Sequence, residues 1–232
     1  MWREVKVAIL ARLEQRLNSK GKPISKLHHR RLVAVLGDIE ALKPRLWLEA
    51  LRCGFRNSTV AWVSDGGRGF WRLYQECFVQ TCIGILDFYH AAQNLWKAAA
   101  AALDGRTTKA RQWFKLIRHQ LRHGESEQVI TQLAYAIEFR QFPQSVVKTL
   151  TNVHDYLETH RQHINYKRYK ELGLPLGSGM VESACKWLIQ QRFKGVGMRW
   201  SEDGFNHLLH LRLAWVNQRF DNLFPELPSP NR

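Results

Sequence analysis

Three carboxylates, Asp65, Asp87 and Glu182, stand where side chains from distant parts of a chain can converge on metal ions. Asp65 lies in Ser64-Asp65-Gly66-Gly67, directly after the apolar, β-branched run Thr59-Val60-Ala61-Trp62-Val63. Asp87 follows Gly84-Ile85-Leu86 and is itself followed by Phe88-Tyr89-His90. Glu182 comes after Gly177-Ser178-Gly179, at the start of a helical pattern. Two-metal phosphoryl transfer requires such convergence, because two cations roughly 4 Å apart activate the attacking oxygen and stabilise the leaving one. Hard carboxylate oxygens select Mg²⁺ or Mn²⁺ as the cofactor.

Each acid also has a plain structural use. Ser-Asp-Gly-Gly is good turn chemistry in any protein. An Asp just before a helix is an ordinary N-cap, and a Glu in a first helical turn is favoured by the dipole. The Gly177-Ser178-Gly179 stretch offers backbone N–H groups to a phosphate, yet it has no P-loop lysine and follows no evident strand.

The elements that must position these residues can be read from periodicity. In residues 2–10, Val5, Val7 and Ile9 alternate with Glu4 and Lys6, the pattern of a half-buried strand. A turn at Gly21-Lys22-Pro23 and a second short strand over 31–36, ended by Gly37, follow. Asp38 caps a helix running to Arg52, with Pro44 marking a start or a kink inside it. Residues 59–63 and 84–86 are short strands, each delivering an aspartate at its C-terminal end, the edge where ligands gather in open α/β sheets. Helices are expected over 91–103, 109–123, 125–139 and 144–160. A further helix carries Val181, Ala184, Cys185, Leu188, Ile189 and Phe193 on one face, and Ser201 caps a last one over 202–220.

The formal net charge of +15 calls for a polyanionic partner. Residues 16–31 hold six Lys/Arg, two His and no carboxylate, and residues 106–123 repeat this with Arg106, Lys109, Arg111, Lys115, Arg118 and Arg122. Solvated helix faces usually mix both signs, so these stretches read as phosphate contacts. The four cysteines lack zinc-site spacing and read as buried or free thiols. No stretch approaches the roughly 20 apolar residues of a membrane span, and a cytoplasmic protein is expected.

Val63-Ser64-Asp65-Gly66-Gly67, Ile85-Leu86-Asp87-Phe88-Tyr89-His90-Ala91, Gly177-Ser178-Gly179-Met180-Val181-Glu182-Ser183-Ala184-Cys185-Lys186 and Gln191-Arg192-Phe193-Lys194-Gly195-Val196-Gly197-Met198-Arg199-Trp200-Ser201 occur in that order. Together they resemble Kra-type insertion-sequence transposases, bacterial relatives of the Mutator superfamily, over nearly the whole chain. The resemblance implies an α/β, RNase H-like fold with a large all-helical insertion before the final catalytic helix. It implies segments at 1–90 (partial core), 91–172 (insertion), 173–221 (helices completing the core) and 222–232 (flexible tail). It implies that Asp65 and Glu182 are catalytic metal ligands of a DDE triad, with Asp87 and His90 an accessory Asp-x-x-His motif. Lys186, Arg192, Lys194 and Arg199 would contact phosphates, while Trp200 packs or stacks on a base. The implied partners are double-stranded DNA (terminal repeats and target) and further copies of the chain on that DNA, in the bacterial nucleoid, with no membrane. The family's first aspartate belongs to a strand before Val5, so a truncated transposase, incomplete in its first strand, is expected. The exposed edges left by that loss predict low solubility or self-association. The alternative is a non-catalytic DNA-binding remnant; a helical RNA-binding protein and an unrelated metal-dependent nuclease are the more distant rivals.

Overall fold

The computed structural model describes residues 4–224 apart from 18, 20 and 22. The chain is α/β, with about 60% helix and little sheet. Two compact units form: residues 1–59 with 179–232, and residues 60–178. This division cuts across two of the four segments drawn from the sequence, 1–90 and 173–221, because the chain leaves the first unit at residue 60 and returns to it at 179. Trp2, Lys20, Lys22 and the Pro-rich stretch from Pro225 lie outside the described residues.

The first unit begins with a long antiparallel hairpin, β1 (Val5–Leu17) and β2 (Pro23–Leu36). Both strands run well past their expected limits at Leu10 and Arg31. The register shifts between Leu10 and Arg12, opposite His28 to Arg31, and His29 adopts a φ of 49° there. Such a bulge adds unpaired residues to one strand and bends it. Beyond it the hairpin carries Arg12, Glu14, Arg16, Lys26 and His28. Charged side chains there give no apolar alternation to read; backbone pairing alone keeps them extended.

Asp38 caps α1 (Ile39–Arg52) by accepting from the Ala41 N–H, and Pro44 sits inside without ending the helix. The C-terminal chain supplies α8 (Gly179–Ala184), a π turn (Cys185–Gln190), α9 (Gln191–Phe193) and α10 (Glu202–Val216). The apolar face expected from the sequence is the one buried. Ala184, Leu188, Ile189 and Phe193 pack with Val7, Leu32, Ala34, Phe205 and Leu209 in one core. Ser201 caps α10 through the Gly204 N–H, as its position implied.

That helix ends at Val216 rather than Phe220. The reason is tertiary: the Asn217 side-chain amide accepts from the Leu32 N–H and donates to the Leu32 carbonyl, both at 2.8 Å. The side chain thereby mimics a strand partner, and Gln218 turns into the left-handed region at φ 59°. Beyond the turn Arg219 makes two 2.7 Å hydrogen bonds to Glu49, which is buried in α1. That guanidinium is the main reason the Glu49 carboxyl is held below its ordinary range.

The second unit opens with a parallel β-α-β element: β3 (Val60–Ser64), α2 (Arg68–Cys77) and β4 (Cys82–Leu86). The crossover helix α2 is an addition to the sequence reading. It is short and rich in aromatic residues, and it buries Trp71, Leu73 and Tyr74. Then come α3 (Phe88–Leu103), α4 (Thr108–Arg122), α5 (Ser126–Phe139), α6 (Gln144–Thr159) and the short α7 (Tyr166–Glu171). Helices α3 and α6 pack together, with α4 and α5 against them. Leu95, Ala98, Ala99, Ile117, Leu121, Leu133, Leu150 and Leu157 are fully or almost fully buried between them. Alanines on α3 let these helices approach closely.

Candidate functional site

Strands β3 and β4 pair in parallel with Ser64 opposite Leu86, and the Asp87 N–H donates to the Ser64 carbonyl at 2.8 Å. Asp65 and Asp87 therefore leave neighbouring strands side by side at the C-terminal edge, as expected from the two apolar runs.

Their environments differ. Asp65 is exposed and closes its own turn, with Oδ1 accepting from the Gly67 N–H at 3.0 Å. Its backbone carbonyl accepts from the Trp71 indole at 2.6 Å, which ties the turn to α2.

Asp87 is only 1% exposed and accepts four hydrogen bonds. Oδ1 takes the N–H groups of Tyr89 (2.7 Å) and His90 (3.2 Å), capping α3. Oδ2 takes the Ser178 N–H and the Ser178 hydroxyl, each at 2.6 Å. A carboxylate has about four lone-pair sites, so Asp87 is saturated. The plain cap reading of Asp87 is thus realised, and something is added to it: the carboxylate clips a loop 91 residues later to the strand end. The Phe88 N–H donates to the Leu176 carbonyl at 2.8 Å in the same clip. Gly177 is required there because a Cβ would lie 2.7 Å from the Tyr89 ring. The Ser178 N–H that could have met a phosphate is thereby occupied by Asp87.

Ser178 leads directly into α8, whose first turn carries Glu182, an exposed residue. Asp87 and His90, at the head of α3, offer a carboxylate and an imidazole within 4.8 Å of each other, a candidate pair of cation ligands. The pair read as accessory is thus itself a candidate ligand pair, beside Asp65 on the neighbouring strand end. A carboxylate and an imidazole make a mixed oxygen and nitrogen donor set. That chemistry suits Mn²⁺ or Zn²⁺ at least as well as Mg²⁺. The π turn that follows α8 is a feature often found at functional sites.

A wall of aromatic and imidazole side chains backs the strand ends, and the sequence reading did not include it. Trp71 stacks on His163 with centroids 4.5 Å apart and lies 4.8 Å from His160. The Gly84 carbonyl of β4 is met by His163 Nδ1 and accepts from the Tyr169 hydroxyl, each at 3.2 Å. Gly84 has no Cβ to block this, since one would sit 2.8 Å from both His163 and Tyr74. Burial pushes the His160 imidazole down to about 4 and lowers that of His163. Both are neutral structural groups near pH 7. Only their clustering near residue 160 could have signalled them, and isolated histidines on a helix end give no such indication.

The expected phosphate contacts are at the surface. Lys186, Arg192, Lys194 and Arg199 are exposed, as are Lys109, Arg111 and Lys115 on α4. Arg118 and Arg122, one turn apart on α4, are half-buried, each with its guanidinium 5.4 Å from the centre of the buried Phe88 ring. Among the described residues neither pairs with a carboxylate. Trp200 packs edge-on against Phe193 and donates to its carbonyl at 3.2 Å, while remaining 42% exposed. The four cysteines are free. Among the described residues no helix is long and apolar enough to cross a membrane. No protein-family model, curated protein sequence or solved structure matches the chain.

Proposed function

We propose that this chain is a metal-dependent phosphodiester-transfer protein of the DDE transposase class, acting on double-stranded DNA. The observation that carries this reading is the convergence of Asp65 and Asp87 at neighbouring strand ends, with the His90 imidazole within 4.8 Å of Asp87. A bound divalent cation would supply positive charge to activate an attacking oxygen and stabilise the leaving one. The α3 cap and Ser178 fix Asp87 at the end of β4, and it takes a cation by releasing one of its four donors. The resemblance assigns the remaining acid to Glu182, in the first turn of α8. Asp65 keeps one carboxylate oxygen outside its own turn and serves as the further acid. The finer fold reading belongs to this proposal: β3 and β4 act as the late strands of an RNase H-like core, and α3 to α7 as the helical insertion before the glutamate.

The unpaired cations of α4 and the exposed Lys186, Arg192, Lys194 and Arg199 hold the phosphate backbone. They give affinity and register without reading sequence. The same cations favour the second reading, a DNA-binding protein that does not cut.

The test is nicking of supercoiled plasmid and of duplex DNA by the purified chain in Mn²⁺ or Mg²⁺, beside Glu182→Gln and Asp65→Asn. Cation-dependent nicking lost in both variants supports the proposal. Nicking that survives Glu182→Gln removes the glutamate from the chemistry. Salt-dependent binding with no nicking in either cation assigns the chain to the DNA-binding reading.

A further inference from the structure

Tyr156 reaches from α6 to the turn that carries Asp65. Its ring presses against Gly66, where a Cβ would come within 2.1 Å of Cε2, so only glycine fits there. The hydroxyl is fully buried and lacks a hydrogen-bond partner. Asn94 and the Gly66 backbone lie near it, yet neither completes the bond. The Asn94 amide is already engaged with the His90 carbonyl and Lys97.

A buried polar atom with no partner is rare in a folded protein, because it forfeits its hydration without gaining a bond. Phenylalanine would pack in the same place without that cost. Burial, followed by the carboxylates of Asp65 and Asp87, raises the phenol far above its ordinary range, so it stays a proton donor. The orphaned donor thus belongs to a ring packed on the turn that carries Asp65.

We infer that Tyr156 is a positioning residue of this edge, its hydroxyl donating a hydrogen bond to an oxygen ligand of the cation held beside Asp65 and Asp87. This rests on the cation reading above. The Tyr156 ring fixes the turn from which Asp65 projects, and the hydroxyl holds the ligand beside it. Outer-shell donors of this kind orient what the inner ligands hold.

The test compares Mn²⁺ binding, followed by electron paramagnetic resonance of the free ion, with urea denaturation, for the full chain and for Tyr156→Phe. Removing an unsatisfied hydroxyl leaves the denaturation midpoint unchanged or raises it, while Mn²⁺ affinity falls about tenfold or more. A merely structural tyrosine would not separate the two readouts. Gly66→Ala, which displaces the ring, weakens Mn²⁺ binding in the same direction, and the double variant loses no more than the stronger single one. Mn²⁺ affinity within about twofold of the parent in Tyr156→Phe overturns the inference. If the parent chain itself fails to bind Mn²⁺, the cation reading fails, and the inference with it.

Discussion

Replacing Ser178 by alanine separates the structural work of Asp87 from its chemical work. The serine hydroxyl donates to Asp87 Oδ2 at 2.6 Å, in parallel with the Ser178 N–H at the same distance. The carboxylate is 1% exposed, so water cannot replace the lost donor without opening the clip. A hydrogen bond to a charged group contributes about 1.5–3 kcal/mol net, and the surviving N–H keeps Oδ2 partly satisfied, so a loss of about 2 kcal/mol is expected. The loss should be local as well as global. The Phe88 amide, bonded to the Leu176 carbonyl, sits in the same clip and exchanges faster with solvent when that clip opens. The assay is urea denaturation combined with hydrogen exchange at Phe88, Tyr89 and His90. Cation binding should respond in the opposite sense. With one of four acceptor sites released, Asp87 gains a lone pair for an ion, so Mn²⁺ affinity holds or rises while stability falls. A change in stability below about 0.5 kcal/mol with unaltered exchange at Phe88 would refute the account of a saturated, clipped carboxylate.

Three further outcomes follow from other parts of the molecule. Because burial lowers His160 from the ordinary 6.5 to about 4, the unfolded chain takes up the proton first. Stability of the second unit is therefore full above pH 6.5 and falls as pH drops from there toward 4, by at most about 3 kcal/mol. Denaturation midpoints at pH 7 and 5 with an NMR titration of the imidazole check this, and a His160 that titrates at 6.5 contradicts it. Arg219→Leu leaves the buried Glu49 with Arg52, 3.7 Å away, and the field of Arg31, and should destabilise the first unit by about 2 kcal/mol. The Glu49→Leu/Arg219→Leu pair should recover most of that loss in urea melts, and equal damage in single and double variants would show that the ion pair is not the cause. Arg118→Gln with Arg122→Gln should reduce the slope of log affinity for duplex DNA against log salt by about 1.8, as expected for two lost phosphate contacts. An unchanged slope in fluorescence anisotropy would place DNA elsewhere.

Local chemistry determined a good part of this structure. The run from Thr59 to Val63 becomes a strand because its β-branched and aromatic side chains suit a pleated surface, and Ser64-Asp65-Gly66-Gly67 must turn. The same logic places Asp87 after β4, Asp38 before α1 and Ser201 before α10. Spacings of three and four residues selected the buried face from Ala184 to Phe193. These features depend on neighbours within a few positions, and such neighbours are visible in a single sequence.

What tertiary structure decided depends on partners far away in the chain. The hairpin extends past Leu10 because β2 pairs with it, although its charged side chains carry no strand signal. Helix α10 stops at Val216 because Asn217 is drawn to Leu32, 185 residues earlier. Asp87 was legible as a cap or an accessory ligand; its four donors were not, since two come from Ser178, 91 residues away. Tyr156, His160 and His163 carry no motif. They acquire a role only because α6 and the turn after it lie against Gly66, Trp71 and Gly84. Periodicity records which face of an element is buried, whereas the identity of what it is buried against is a property of the packed chain.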